Sequence, residues 1–189
     1  DVAYSTINGL ETGDQDLVYF CSDYFTPNGT PYLQKETTDN KSNVSTFQLD
    51  YSNPLSKTSR LELGAKTTIR SIDNDFIFKT IDSLQTWYND PLYSNHFLYD
   101  EQIHALYGTY SNSFSNFEFQ GGLRAEQTYT KSSQKTMATE YNKSYFSLFP
   151  TLHLNYKFTG DNSIQLSYSR RVNRPQFHSL NPFVDISDP

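Results

Sequence analysis

The sequence predicts an all-β protein, an antiparallel up-and-down meander, on three observations. Aromatic side chains carry the apolar load, because 15 Tyr and 14 Phe raise aromatics to 16% while hydrophobic residues of every kind make only 35%. Polarity alternates residue by residue over most of the chain, the period of a strand whose side chains point to opposite faces. Clusters of Asn, Asp, Gly and Pro separate these stretches and supply turns.

Composition narrows the functional classes. At 189 residues the default is one domain. A net charge of −6 argues against a nucleic-acid partner or a basic membrane-surface patch. Cys21 stands alone, so no intrachain disulfide and no multi-cysteine metal centre can form. No run of 18 apolar residues occurs, so a membrane would have to be crossed by strands.

Residues 1–43 are the least regular part. Leu17, Val18, Tyr19 and Phe20 cluster among polar runs, and one or two irregular strands are expected. In VSTFQLDYS (44–52), Phe47, Leu49 and Tyr51 share a face opposite Thr46, Gln48 and Asp50, and NPLS (54–57) reads as a tight turn. RLELGAKTTIR (60–70) sets Leu61, Leu63, Ala65 and Ile69 against Arg60, Glu62, Lys66 and Arg70. Residues 71–95 read as a long loop into which DFIFKTI could extend a strand.

HFLYDEQIHALYGTY (96–110) reads as a strand with Phe97, Tyr99, Ile103, Ala105 and Tyr107 on the apolar side and Asp100, Gln102 and His104 on the polar one, leaving Leu106 on the wrong face. After a polar turn at 111–116, FEFQGGLRAEQTYT (117–130) separates Phe117, Phe119, Leu123, Ala125 and Tyr129 from Glu118, Gln120, Arg124, Glu126 and Thr128. A second long polar loop is expected at 131–143. SYFSLFPTLHLNYKF (144–158) then alternates, with Pro150 expected to mark a bulge or break. TGDN (159–162) turns into a sixth strand over 163–172.

The expected connections alternate between short (54–57, 111–116, 159–162) and long (71–95, 131–143). In an antiparallel meander successive connections lie at opposite ends of the sheet, so one end would carry tight turns and the other large polar loops, as in transmembrane outer-membrane β-barrels. Tyr51, Tyr110, Phe117, Tyr156 and Phe158 sit beside the short turns as one aromatic girdle, and Tyr99, Tyr129 and Tyr145 are candidates for the other. The rival fold is a soluble β-sandwich, a carbohydrate-binding module presenting Trp87 and Tyr88, because two-faced strands alone do not separate the two.

The segment LSYSRRVNRPQFHSLNPFVDISDP (166–189) separates them. Tyr168, Ser169, Arg170 and Arg171 end a strand, Asn173, Arg174 and Pro175 follow, and then Leu180, Asn181, Pro182, Phe183, Asp188 and Pro189. This pattern resembles the signature of outer-membrane β-barrel proteins of the Bacteroidota that belong with the TonB-dependent receptors. GGLRAEQT (121–128) and IHALYGTYS (103–111) resemble further strands of that family, so the similarity covers roughly 44–189.

The resemblance implies a large barrel in the cell outer membrane of a Gram-negative bacterium, its wall in contact with outer-membrane lipid. It implies import of a bulky nutrient driven by the TonB system through an N-terminal plug domain. Neither plug nor TonB-contacting segment is recognisable in residues 1–189, and family members continue beyond the Asp-Pro at 188–189, so the chain is expected to be a middle section of wall with six to eight strands.

Candidate lumen-facing residues are Arg60, Glu62, Lys66, Arg70, Glu118, Arg124 and Glu126, whose mixed signs on neighbouring strands suit cross-strand pairing, plug contact or a substrate path. Arg170, Arg171, Asn173 and Arg174 are multi-donor groups suited to anchoring a loop or holding an anion at the outer mouth. His96, His104, His153 and His178 lack metal-ligand spacing, and no H-E-x-x-H, G-x-S-x-G or phosphate loop occurs, so neither enzymatic activity nor a cofactor is expected. Asp73, Asn74 and Asp75 lack the glycine and distal Glu of an EF-hand loop.

Overall fold

The computed structural model describes residues 1–19, 32–82, 84, 86–160 and 162–174. Cys21, His178 and the signature residues Pro175, Leu180, Asn181, Pro182 and Phe183 lie outside them. The described residues build one antiparallel sheet of eight strands: β1 (Val2–Tyr19), β2 (Tyr32–Pro54), β3 (Ser59–Ile81), β4 (Trp87–Asn89), β5 (Asn95–Phe114), β6 (Phe117–Gln134), β7 (Thr139–Lys157) and β8 (Ser163–Ser169). The order is β1-β2-β3-β5-β6-β7-β8, with β4 paired to β3. Every long neighbour is consecutive in the chain, as in an up-and-down meander.

The strands are far longer than the alternating stretches suggest. At 23 residues each, β2 and β3 would rise roughly 50 Å along a barrel axis at the ~45° tilt usual for such strands, twice the ~25 Å apolar band of an outer-membrane barrel. Residues 131–143 are therefore not a long loop: β6 and β7 continue through them, paired from Gln134↔Thr139, and only 135–138 turn. Likewise β3 takes up 71–81 of the supposed loop, leaving 82–94 with β4 inside it. At the other end the turns are 55–58, 115–116 and 158–162. Residues 2–19 pair with 32–49 in unbroken register, although the sequence suggests irregular strands there.

These differences share one cause. Where a strand has water on both sides, neither face needs apolar side chains, and the period of two vanishes although the ladder continues. KSSQ in β6 and KETTDNKSN in β2 have no apolar side chain on either face, and the groups buried there, Glu36, Ser133 and Gln134, are polar, with Gln134 donating to Asn95 at 3.0 Å.

The sheet is curved, and burial shows which way. In the middle of β5 and β6, Glu101, Ala105, Glu126 and Thr128 are buried, Thr128 completely, whereas Leu106 is 69% and Leu123 51% exposed. Side chains crowd on a concave face and splay on a convex one. The charged and polar set is concave, and the leucines are convex. Cross-strand rows make the convex face continuous: Tyr51–Leu63–Gly108–Leu123–Pro150, then Leu49–Ala65–Leu106–Ala125–Leu148.

Below these rows Tyr110, Phe114, Phe117 and Phe119 pack ring to ring at centroid distances of 5.6–6.4 Å, and Tyr156 meets Phe158 at 5.0 Å. Above them, Tyr129 and Phe146 close the band. The polar groups of that rim satisfy one another, Thr67 with His104 Nδ1 at 3.2 Å and Gln127 Nε2 donating to Ser144 at 2.9 Å. No second layer covers the convex face among the described residues.

Three details of the strands differ from expectation. In β5 the faces are reversed: Leu106 lies on the convex apolar face together with Gln102 and His104, while Tyr99, Ile103, Ala105 and Tyr107 are concave. For the same reason only Tyr129 of the upper girdle candidates points outward, since Tyr99 and Tyr145 share the concave face with Thr128. Pro150 makes no bulge, because β6 and β7 keep register through Leu123↔Pro150. Its carbonyl accepts from the Arg170 amide at 3.1 Å, so its missing N–H faces the end of β8, away from the β6 ladder.

Candidate functional site on the concave face

The concave face carries a central polar network built on a single cross-strand row: Asp50–Gly64–Tyr107–Arg124–Phe149. Tyr107, on β5, lies across Gly64 of β3 to reach β2. A Cβ on Gly64 would stand 2.3 Å from the Tyr107 ring, so only glycine leaves the path open. The Tyr107 hydroxyl donates to one oxygen of Asp50, whose other oxygen accepts from Gln48 Nε2 at 2.7 Å. The Arg124 guanidinium stands over the same ring, 5.3 Å from its centroid, a cation–π contact worth about 0.5–2 kcal/mol.

One row up, Glu126 holds two arginines. Its Oε1 accepts from Arg124 Nε at 2.6 Å and its Oε2 from Arg174 Nη2. Glu126 is 5% exposed, and a carboxylate that secluded persists only because both oxygens meet a guanidinium. Arg174 follows β8 and folds back across β7 to reach β6, so this contact fastens the departing chain to the wall.

All seven lumen candidates lie on this face, but they form three groups. Arg124 and Glu126 are central. Arg70 pairs with Glu101 at 3.6 Å higher up. At the tight-turn end, Arg60 pairs with Glu62 at 3.7 Å, and Glu118 accepts from Lys157 at 2.6 Å and Asn155 at 2.9 Å. Lys66 lies in the row of Gln48 and Glu126. The Arg170 and Arg171 side chains are exposed, and neither has an ion-pair partner among the described residues.

Above the band the concave face encloses a cavity of about 520 Å³ lined by Tyr99, Glu101, Lys143, Tyr145, Asn173 and Arg174. Burial, followed by the neighbouring Glu101 carboxylate, pushes the Tyr99 hydroxyl up to about 12, so it stays protonated and donates to Glu101 at 3.3 Å.

Reading the sequence missed Asp50, Tyr107, Gln48 and Glu101. Gly64 was the available signal, since a glycine inside an alternating strand marks a close approach by another group.

A family model for the outer membrane protein beta-barrel family matches residues 1–189. The chain belongs to the outer membrane protein beta-barrel family. Among solved structures, the fold is similar to that of the ferric citrate transporter FecA in its unliganded form, with a TM-score of 0.54 and 15% identity. The match covers 68% of this chain and 21% of that one, so the sheet corresponds to about a fifth of that chain's length. No curated protein matches the sequence.

Proposed function

We propose that this chain is a section of the wall of a TonB-dependent receptor-like barrel in the Gram-negative outer membrane, one that imports a bulky nutrient and catalyses no reaction. The partners in this reading are outer-membrane lipid on the convex face, the nutrient on the concave face, and the TonB system acting through a plug domain outside this chain. The observation that carries it is the inversion of burial: Leu106 and Leu123 exposed, Glu126 and Thr128 buried. A carbohydrate-binding sandwich would bury the leucines between two sheets, and Trp87 and Tyr88 would sit on its face; here they occupy short β4 beside the long connection. The signature around Arg170–Arg174 supports assignment to the Bacteroidota.

The test is genetic. Deleting the gene and, separately, the gene for TonB should abolish uptake of the same nutrient. Unchanged growth of the first deletion strain on every nutrient that the parent uses contradicts import.

A further inference from the structure

We infer that the cavity between Lys143, Arg174 and the tyrosines of the concave face binds a small organic carboxylate, an inference that rests on the import reading and names the class of its cargo. Among the described residues the charges of the cavity do not cancel. Glu101, 5% exposed, is offset by Arg70 at 3.6 Å. Glu126 faces both Arg124 and Arg174, so the arginines exceed it by one. Lys143 has no carboxylate partner among the described residues, and its ammonium stands 5.6 Å from the Tyr145 ring centroid.

Arg174 adds an unpaired donor. Its Nε is shielded from solvent and has no hydrogen-bond partner, although its Nη2 is engaged by Glu126. A secluded guanidinium N–H without an acceptor is costly, and an incoming carboxylate oxygen would satisfy it. Tyr141 and Tyr145 line the same space, as do the hydroxyls of Thr130 and Ser132, which gives an anion further donors and its carbon skeleton ring faces to lie on. At about 520 Å³ the cavity is of the size that small molecules occupy. It also lies just above the apolar band, on the face turned inward, where cargo entering from the long-connection side would meet it.

The site calls for a carboxylate over a neutral sugar, because the Arg174 Nε–H and the Lys143 ammonium make charge-assisted hydrogen bonds to a carboxylate that are about twice as strong as those to a neutral hydroxyl. The full-length protein, purified in detergent, should be titrated calorimetrically with galacturonate, with propane-1,2,3-tricarboxylate, and with galactose as the neutral counterpart of the first. The expected result is saturable binding of at least one carboxylate, weaker at high salt, and much weaker or absent binding of galactose. Lys143→Gln should weaken carboxylate binding about tenfold, and Lys143→Arg should restore most of it.

Lys143 is exposed and holds no ion pair among the described residues, so its replacement leaves the wall intact. Equal binding of galactose and galacturonate, no binding of either carboxylate, or unchanged affinity in Lys143→Gln overturns the inference. Growth assays separate the two readings. Carboxylate binding with normal growth of the deletion strain keeps the anion site and removes import. Lost growth without carboxylate binding does the reverse.

Discussion

The two faces of β6 differ in nearly every property although they belong to the same residues in alternation. On the convex side Phe119, Leu123 and Ala125 touch no second layer. On the concave side Arg124 lies over the Tyr107 ring of β5, and Glu126 and Thr128 meet Arg174 of the segment that follows β8. A water-soluble sheet needs the opposite arrangement, since apolar surface drives burial only when water is the alternative. The lesson is that the solvent of each face decides the pattern. Lipid accepts leucine without cost, and the inward face, narrow and crowded, accepts charges only in neutralised sets.

Mutations on the two faces should therefore fail for different reasons. The largest effect is expected from Leu123→Arg in the middle of the convex band. It should cost about 2–4 kcal/mol of folding free energy in lipid vesicles, read from denaturant titration of the full-length protein. On a water-facing surface the same change would stay within about 0.5 kcal/mol, which would break the comparison.

Next comes Glu126→Gln, which leaves Arg124 and Arg174 facing each other without their shared anion. Breaking such a pair costs about 3–5 kcal/mol when it is fully buried, and the partial exposure of both arginines reduces that to about 2 kcal/mol here. The chain after β8 should also loosen, visible as faster proteolysis near Arg174. Replacing Arg124 and Glu126 together by Leu and Gln should cost less than the sum of the single changes.

Gly64→Ala tests the bridge across β3. The new methyl displaces the Tyr107 ring and breaks its bond to Asp50, for about 1–2 kcal/mol. A Tyr107→Phe, Gly64→Ala double variant should lose little beyond the worse single change, which denaturant titration of the set will show.

The smallest effect concerns the wet upper hairpin. Hydrogen bonds from Asn142 and Lys131 hold the Glu140 carboxyl below its ordinary value of 4.5. A lowered folded-state value means that these contacts support the hairpin above about pH 4.5 and are lost as pH falls through the folded-state value. The protection factors of the amides at the 135–138 turn, exchange rates corrected for their intrinsic pH dependence, should fall over that acidic range in the parent and not in Glu140→Gln.

How much the sequence disclosed follows the same division. Over 117–130 the convex side is apolar and the concave side polar, and both are readable from polarity alone. In β5 they were not, because Tyr99 and Tyr107 are aromatic yet concave, whereas Gln102 and His104 are polar yet convex at the rim of the band. Polarity ranked the faces backwards, and only the register with β3 and β6 orders them. Above the band, at 34–43 and 131–143, there is no contrast to read, so the first stretch reads as irregular strand and the second as a loop.

The site was legible as composition but not as contact. The mixed signs suggest pairing across strands, whereas Arg124 and Glu126 pair within β6, two residues apart. Arg174 lies 48 residues from Glu126, and Tyr107 lies 57 from Asp50. Such distances are closed by the stacking of hairpins, which no local pattern encodes.

The central claim is that the convex face meets hydrocarbon. Leu148 and Ser147 are neighbours in the middle of β7, on the convex and concave faces respectively. In a Cys21→Ser background, Leu148→Cys and Ser147→Cys variants of the full-length protein should be labelled with a small fluorophore and placed in vesicles containing brominated lipid. The label at 148 should be strongly quenched by bromine and the label at 147 should not. Equal quenching at both positions, or stronger quenching at 147, would contradict the assignment of the two faces.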